Sequence, residues 1–413
     1  MSAHSILVLI TAIIIANYLI GLVLELLNIR HSKIPLPSEA KGIYDQESYE
    51  KSQRYQMEKT RFSFITSGIS ILITLSFLLL GGFGWLDELV SPITDNSVFR
   101  ALIYFAVLFL ANDLLNLPFQ LYSLFVIEEK YGFNKTTSGT FVKDKLKGYI
   151  LAAILGTLIV GGLLLLIEQL GSSFWIYFWI AISLFMVVMN MFYTTLILPL
   201  FNKLTQLEDG ALRSSIEAFS EKVDFPLTNI FVIDGSRRSS KANAFFSGLG
   251  KKKKVVLYDT LIEKHEVSEL VAIFAHEVGH YKKRHIILSM VLSILQTGVM
   301  LFLLSLMVFN QNLTAALGGH GVLIHLNLIA FGILYSPISM ITGLLMSIVS
   351  RKNEYEADRY AAEYFDGDKL STALKKLAKD NLSNLTPHPA FVFVHYSHPT
   401  LLQRLDALAR VPT

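Results

Sequence analysis

The sequence predicts a mainly α-helical integral membrane protein with a small β element, and three observations carry that prediction. Of its 413 residues, 52% are hydrophobic and 17% are charged, with a mean hydropathy of +0.48. That balance is too apolar for a soluble domain of this length. Uninterrupted apolar runs reach the roughly 20 residues that a helix needs to cross a bilayer. The basic residues are also segregated by these runs instead of being scattered among them.

Seven runs qualify, at about 5–28, 63–82, 101–122, 148–167, 174–200, 286–308 and 321–349. The first is too long for the core of a signal peptide, and the residues before it hold no Lys or Arg. No small-residue cleavage site follows, so it is read as a retained helix. If the seven alternate, one side of the membrane holds 29–62, 123–147, 201–285 and 350–413. The other side holds the N-terminus and short loops near 83–100, 168–173 and 309–320. Of the 36 Lys and Arg, only Arg100 falls on the second side. The cytoplasmic bias of basic residues then puts the N-terminus outside and the C-terminus inside.

This divides the chain into a five-helix membrane region (1–200), a cytoplasmic insert (201–285), two further membrane helices (286–349) and a cytoplasmic tail (350–413). The insert is too long for a simple connection and should fold. It reads as a helix over Gly210–Val223, β-rich runs at Asn229–Ile233 and Lys254–Tyr258, and a helix from about Val267. Lys251–Lys254 reads as a solvated turn. The tail reads as two or three amphipathic helices separated by Thr386-Pro-His-Pro. A net charge of +3 gives no concentrated basic face and argues against nucleic acid as a partner. Without a single cysteine, disulfides and thiolate metal sites are excluded, and any metal must be held by nitrogen and oxygen.

One segment has the right chemistry for that. His276-Glu-Val-Gly-His280 lies in the helical run Val267–Lys283. Residues four apart share a helix face, so the two imidazoles can grip one zinc ion. Glu277 is close enough to activate water there. A third ligand is needed. A metzincin would place Gly at 283 and His at 286, but these are Lys283 and Ile286, and His285 reads as a membrane-boundary residue. Downstream, Glu354 and Asp358 share a helical face while Glu356 points elsewhere. One carboxylate could bind zinc and the other accept the second ring N–H of a liganding histidine.

Several motifs now resemble one family, the type I CAAX prenyl proteases, seven-span membrane zinc endopeptidases of the gluzincin class. HEVGH is similar to its zinc helix and Glu354-Tyr-Glu-Ala-Asp358 to its ExxAD segment. Ser397-His-Pro-Thr-Leu-Leu-Gln-Arg404 is similar to its SHPxxxxR signature, and Asn243-Ala-Phe-Phe-Ser-Gly248 to its NAxxxG segment. Ile127–Thr137 and Leu198–Leu204 also match family segments. The resemblance implies that Glu354 is the third zinc ligand and Asp358 orients a histidine. It further implies that His398 and Arg404 stabilise the oxyanion, and that Asn243 and its edge strand hold the substrate backbone. It also implies helices arranged around a water-filled intramembrane chamber, for which Asn112, Asp113, Asn116, Gln120, Asn190, Gln296 and Asn327 are candidate linings. The alternative for these residues is hydrogen bonding between helices.

The function expected is therefore peptide-bond hydrolysis with one Zn2+ per chain. The partners would be a peptide or protein substrate, which the resemblance suggests is prenylated, and the lipid bilayer. Two other readings compete. A membrane quality-control metalloprotease would carry about four spans; the other is a non-catalytic membrane scaffold whose zinc site is vestigial or structural, and a structural zinc would fill all four ligand positions with protein. A bacterial inner membrane is the expected location, with the endoplasmic reticulum the alternative for a eukaryotic source.

Overall fold

A backbone surrounded by lipid must satisfy its amides internally, so long apolar runs fold as helices. The computed structural model describes residues 1–32, 34–37, 42, 44–226, 229–247 and 254–411. Its N-terminal half contains α1 (Ala3–His31), α2 (Gln46–Leu79), α3 (Gly82–Val90), α4 (Ser97–Tyr122), α5 (Ser138–Gly156), α6 (Gly162–Leu170), α7 (Phe174–Leu196) and α8 (Leu198–Phe201). The insert contains β1 (Leu204–Gln206), α9 (Ala211–Lys222), β2 (Asn229–Ile233), β3 (Ala244–Ser247), β4 (Lys254–Tyr258), α10 (Asp259–Lys264) and α11 (Val267–Lys282). There follow α12 (His285–Met307), α13 (Gln311–Ala316), α14 (Ile324–Ala361), α15 (Gly367–Asp380), α16 (Pro389–His395) and α17 (Leu401–Ala409).

Among the described residues, six helical stretches are long and apolar enough to cross a membrane: Ala3–His31, Gln46–Leu79, Ser97–Glu128, Ser138–Phe201, His285–Met307 and Ile324–Asp380. The sequence counts seven because two of its spans, 148–167 and 174–200, lie within the 64-residue stretch Ser138–Phe201. That stretch turns at Gly171, whose φ of +53° suits a residue without a Cβ. Ile167 on one side of the turn and Phe174 and Phe178 on the other then share a buried cluster with Leu301 and Leu304 of α12.

The last span differs from expectation in a way that matters for the site. The sequence separates a span ending at 349 from a tail, whereas α14 runs unbroken for 38 residues. At 1.5 Å per residue this is about 57 Å, well beyond a hydrocarbon layer of roughly 30 Å. Neither Gly nor Pro occurs between Leu344 and Ala361 to stop it. The helix therefore passes out of the apolar layer still wound and enters the polar domain.

That domain is built on a four-stranded sheet of order β1-β2-β4-β3, with β2 and β4 parallel and the outer strands antiparallel to their neighbours. Side chains alternate across it. Val255 and Leu257 join Ile230 in a core with Leu270, Phe274 and Val278 of α11, while Val256 turns to the opposite face with Ile233 and Leu198. A reciprocal cap starts α11: the Glu266 amide donates to Glu269 (3.0 Å) and the Glu266 side chain accepts in return. Lys376 of α15 completes the buried Glu269 at 2.7 Å. Of the lysine run, 251–253 lie outside the described residues, and Lys254 donates to Thr195 at the end of α7 (3.0 Å).

The membrane half is clamped onto this domain through polar contacts. Tyr49 of α2 shares a hydrogen bond with Thr386 (3.1 Å), and Gln56 donates to the Leu382 carbonyl (2.9 Å). Lys241 bonds both Tyr55 of α2 (2.9 Å) and Glu128 (2.8 Å). The segment around Phe133 and Lys135 pairs its backbone with Arg238 and Ser240. Polar residues within the spans divide into two groups. Asn327 is fully buried and donates to the Val308 carbonyl (2.7 Å), and Gln296 donates to Thr342 (2.8 Å), so both join helices. Asp113 accepts from Lys145 (2.5 Å), Tyr149 (2.5 Å) and Gln120 (3.2 Å). Asn116 donates to Asn112 (3.2 Å). Asn112 and Asn190 are exposed.

Candidate metal centre

Helical spacing alone brings two donors together, and the packing of two helices brings the third. On α11 the Nε2 atoms of His276 and His280 lie 3.2 Å apart. Glu354, one turn beyond the apolar part of α14, places Oε2 at 3.6 Å from His276 Nε2 and Oε1 at 3.2 Å from His280 Nε2. One donor atom from each of the three falls within 4.8 Å of the others. His276 and Glu354 are buried and His280 is partly so.

This convergence requires α11 and α14 to touch backbone to backbone. Gly279 makes that possible: a Cβ there would meet the Ala357 Cα and the Tyr360 Cβ, both at 3.0 Å. The glycine of HEVGH thus lies on the face that receives α14.

A second layer of contacts fixes the rings. His276 Nδ1 donates to Asp358 Oδ1 at 2.8 Å, which leaves Nε2 with its lone pair facing His280 and Glu354. Asp358 is gripped in turn by Arg404, whose Nε and Nη2 donate to its two oxygens at 2.8 and 2.5 Å. Arg404 Nη1 lies 3.7 Å from Glu354 Oε2. Thr400 and Gln403 cap α17 reciprocally, and Arg404 follows one residue later. Arg351 of α14 holds the approach to this helix by donating to the Tyr396 carbonyl at 2.6 Å.

His398 is the exposed member of the cluster, its Nε2 3.4 Å from Glu354 Oε1 and its Nδ1 3.0 Å from Ser397 Oγ. Glu277 is partly buried on the same helix as the two imidazoles. Burial pushes its carboxyl pKa up, against the pull of His276 and His280 and with a smaller push from Glu354. Asn243 is exposed and stands just before edge strand β3. Its carbonyl accepts from the Tyr258 amide (3.1 Å) and its Oδ1 from the Ala244 amide (2.9 Å). Gly248, the last position of that motif, lies outside the described residues.

Sequence reasoning missed two residues. His285 does stand at the membrane boundary, as the first residue of the span His285–Met307, but its ring is 5% exposed, with Nδ1 3.0 Å from His280 Nδ1 and Nε2 3.1 Å from Glu356 Oε2. Glu356 therefore does not point away from the site but reaches its edge through His285. The signal was hidden because Arg284, with φ of +60°, breaks the helix between His280 and His285 and voids the helical phase. His388 caps α16 by accepting from the Ala390 amide (3.2 Å), and His395 packs on the Phe391 ring (4.6 Å).

Two imidazoles and one carboxylate grouped together, free of thiolate, suit a divalent cation with one position left open. Comparisons with known proteins give the family in which this grouping occurs. Residues 25–203 match the family model described as CAAX prenyl protease N-terminal, five membrane helices, and residues 206–411 match Peptidase family M48. The chain is 36% identical over 408 residues to the CAAX prenyl protease 1 homolog of Arabidopsis thaliana, covering 95% of each. It is 34% identical over 421 residues to the homolog of Homo sapiens, covering 90% of this chain and 88% of the relative. The crystal structure of S. mikatae Ste24p matches with a TM-score of 0.92 at 32% identity, covering 98% of both chains.

Two measurements of metal content follow from this geometry. Gly279→Ala should drive α11 and α14 apart by a few tenths of an ångström and lower metal affinity about tenfold or more, read by competition with a chelator. Unchanged affinity would show that the interface yields without moving the ligands. Glu354→Ala should lose the metal, whereas Glu356→Ala, which acts only through His285, should cost less than about tenfold. Metal analysis of both purified variants distinguishes them, and the reverse order would exchange their roles.

Proposed function

The chain belongs to peptidase family M48, with the CAAX prenyl protease N-terminal region ahead of the peptidase part, and from that premise we propose a zinc endopeptidase that trims the C-terminal residues of prenylated proteins from the cytoplasmic side. It is a multi-pass membrane metalloprotease acting on peptide or protein substrates. The observation that carries the hydrolytic reading is the donor set itself, His276, His280 and Glu354, beside a half-buried Glu277; the prenylated substrate is suggested by the CAAX prenyl protease relatives.

Zinc, when held by these three, supplies a Lewis acid that acidifies water and polarises a carbonyl. Glu277 takes a proton from the attacking water and delivers it to the leaving amine as the C–N bond breaks and a C–O bond forms. Asp358 keeps His276 in the tautomer that leaves Nε2 free, and Arg404 fixes Asp358. His398, exposed and reaching inward, is the donor best placed for the developing oxyanion. Arg404 spends Nε and one N–H of Nη2 on Asp358, which leaves Nη1 and the second N–H of Nη2 for that task. Its larger part is to hold the site together. Asn243 and the free edge of β3 offer the substrate backbone a strand to pair with. The exposed amides of Asn112 and Asn190 within spans favour a water-filled interior, because polar groups facing lipid are costly.

Glu277→Gln should retain zinc and lower kcat about 100-fold or more. The assay is cleavage of a prenylated CAAX peptide beside the same peptide without its prenyl group, with zinc-stripped enzyme as control. Equal cleavage of both peptides by the wild type would remove prenyl specificity, and full activity in Glu277→Gln would remove Glu277 from the mechanism.

The cytoplasmic orientation rests on the segregation of Lys and Arg, all but Arg100 lying on the side of the metal ligands. Single cysteines placed at Ser172, Glu221 and Thr372 of this cysteine-free chain test it in intact cells with an impermeant thiol reagent. Position 172 should label directly, and 221 and 372 only after permeabilisation. Labelling of 221 and 372 on opposite sides would refute the topology and the shared site together.

A further inference from the structure

We propose that the groove between the cytoplasmic-facing part of α2 and the segment following α4 binds one anionic phospholipid, a site separate from the metal centre. The groove has a volume of about 440 Å³ and is lined by Phe62, Ile65, Tyr122, Arg54, Arg61 and Lys130, with Glu58 among them. Its floor is apolar. The Phe62 and Tyr122 rings pack 5.0 Å apart, and Ile65 and Tyr122 are 58% and 47% exposed.

The level of the groove follows from the sequence. Spans in α2 and α4 reach their boundary at 62–63 and 122–123, so the floor lies in hydrocarbon and the basic rim in the headgroup layer. The first half of α2 packs on Thr386 and Leu382 of the tail, which puts this rim at the end of the bundle that carries the metal ligands. Aromatic rings with Arg and Lys just outside them are the usual composition of that interface. The floor residues suit an acyl chain, which a soluble anion would not fill.

The charges of the rim do not cancel internally. Glu58 is satisfied by Lys130 at 2.7 Å and the Tyr131 hydroxyl at 2.9 Å. Arg54 meets Glu50 only at 3.6 Å, with both side chains more than half exposed, a weak pairing. Arg61 makes no hydrogen bond or ion pair among the described residues. Within the lining, three cations therefore face one carboxylate over an apolar floor, and the second carboxylate, Glu50, meets Arg54 from outside it. The complement is a phosphodiester whose acyl chain runs down over Ile65 and Phe62, as offered by anionic lipids of the cytoplasmic leaflet.

The test uses the full-length, metal-loaded protein in detergent and counts bound lipid by native mass spectrometry. Dioleoylphosphatidylglycerol should bind saturably with one molecule tightly held, dioleoylphosphatidylcholine about tenfold more weakly, and inorganic phosphate not measurably. An R54Q/R61Q double variant should lose about tenfold or more in phosphatidylglycerol affinity. Ile65→Trp, which fills the floor and keeps the charge, should lose it as well, and Lys51→Gln, exposed on α2 outside the groove, should not. Peptide cleavage in detergent should be unchanged in all three, so failure of the protease reading would register separately as wild type that binds lipid without cleaving. Equal binding of the two lipids, competition by inorganic phosphate, or undiminished affinity in R54Q/R61Q or Ile65→Trp would each overturn the proposal.

Discussion

At Gly279 the backbones of α11 and α14 approach so closely that a Cβ would press on the Ala357 Cα at 3.0 Å, and every other feature of the site depends on this contact. His276 and His280 come from one helix and Glu354 from the other. Were the helices an ångström further apart, the carboxylate would lie outside reach of both imidazoles. The buried positions of α11 around it, Leu270, Val271, Phe274, Ala275 and Val278, are packed from three sides by the sheet, α9 and α15. The zinc-type helix is therefore the centre of the polar domain's core as well as its chemical element, and its position is held by dense packing.

The continuity of α14 links this core to the bilayer. A single helix carries Asn327, hydrogen-bonded among the membrane helices, and Glu354, facing the imidazoles. No hinge residue separates its later membrane turns from its acidic ones. The polar domain is further fastened to the first membrane half by α2 and by the Glu128–Lys241–Tyr55 cluster. The residues before β3, and with them Asn243, are held between the segment around Phe133 and the loop at Asn381. The approach to β3 is thereby fixed against the membrane half.

Around the three donors lie two unequal supports. His276 is held by Asp358, itself clamped bidentately by Arg404, in a buried and charge-balanced arrangement. His280 is held by His285, which leans on the more exposed Glu356. The first support joins α11, α14 and α17 and ties the C-terminal segment to the three grouped donors. The second comes from the start of α12, so a membrane helix begins with a residue in contact with His280.

Much of this is legible in the order of the amino acids alone. Apolar run length sets the membrane helices, because lipid leaves the backbone no other partner, and segregation of Lys and Arg divides the loops by side. The four-residue spacing of His276 and His280, and of Glu354 and Asp358, is a local property of a helix and survives any tertiary context. Strands β2 and β4 are visible in their β-branched runs, whereas the three-residue β1 has too little sequence to carry a pattern. What only the tertiary structure decides are the relations across breaks in helical phase or between distant segments. These are the turn at Gly171 inside an otherwise continuous apolar stretch, the passage of α14 through the expected boundary at 349, the return of His285 to His280 after Arg284, and the commitment of Arg404 to Asp358. Spacing predicts contacts only while one helix persists. Beyond its end, packing chooses the neighbours.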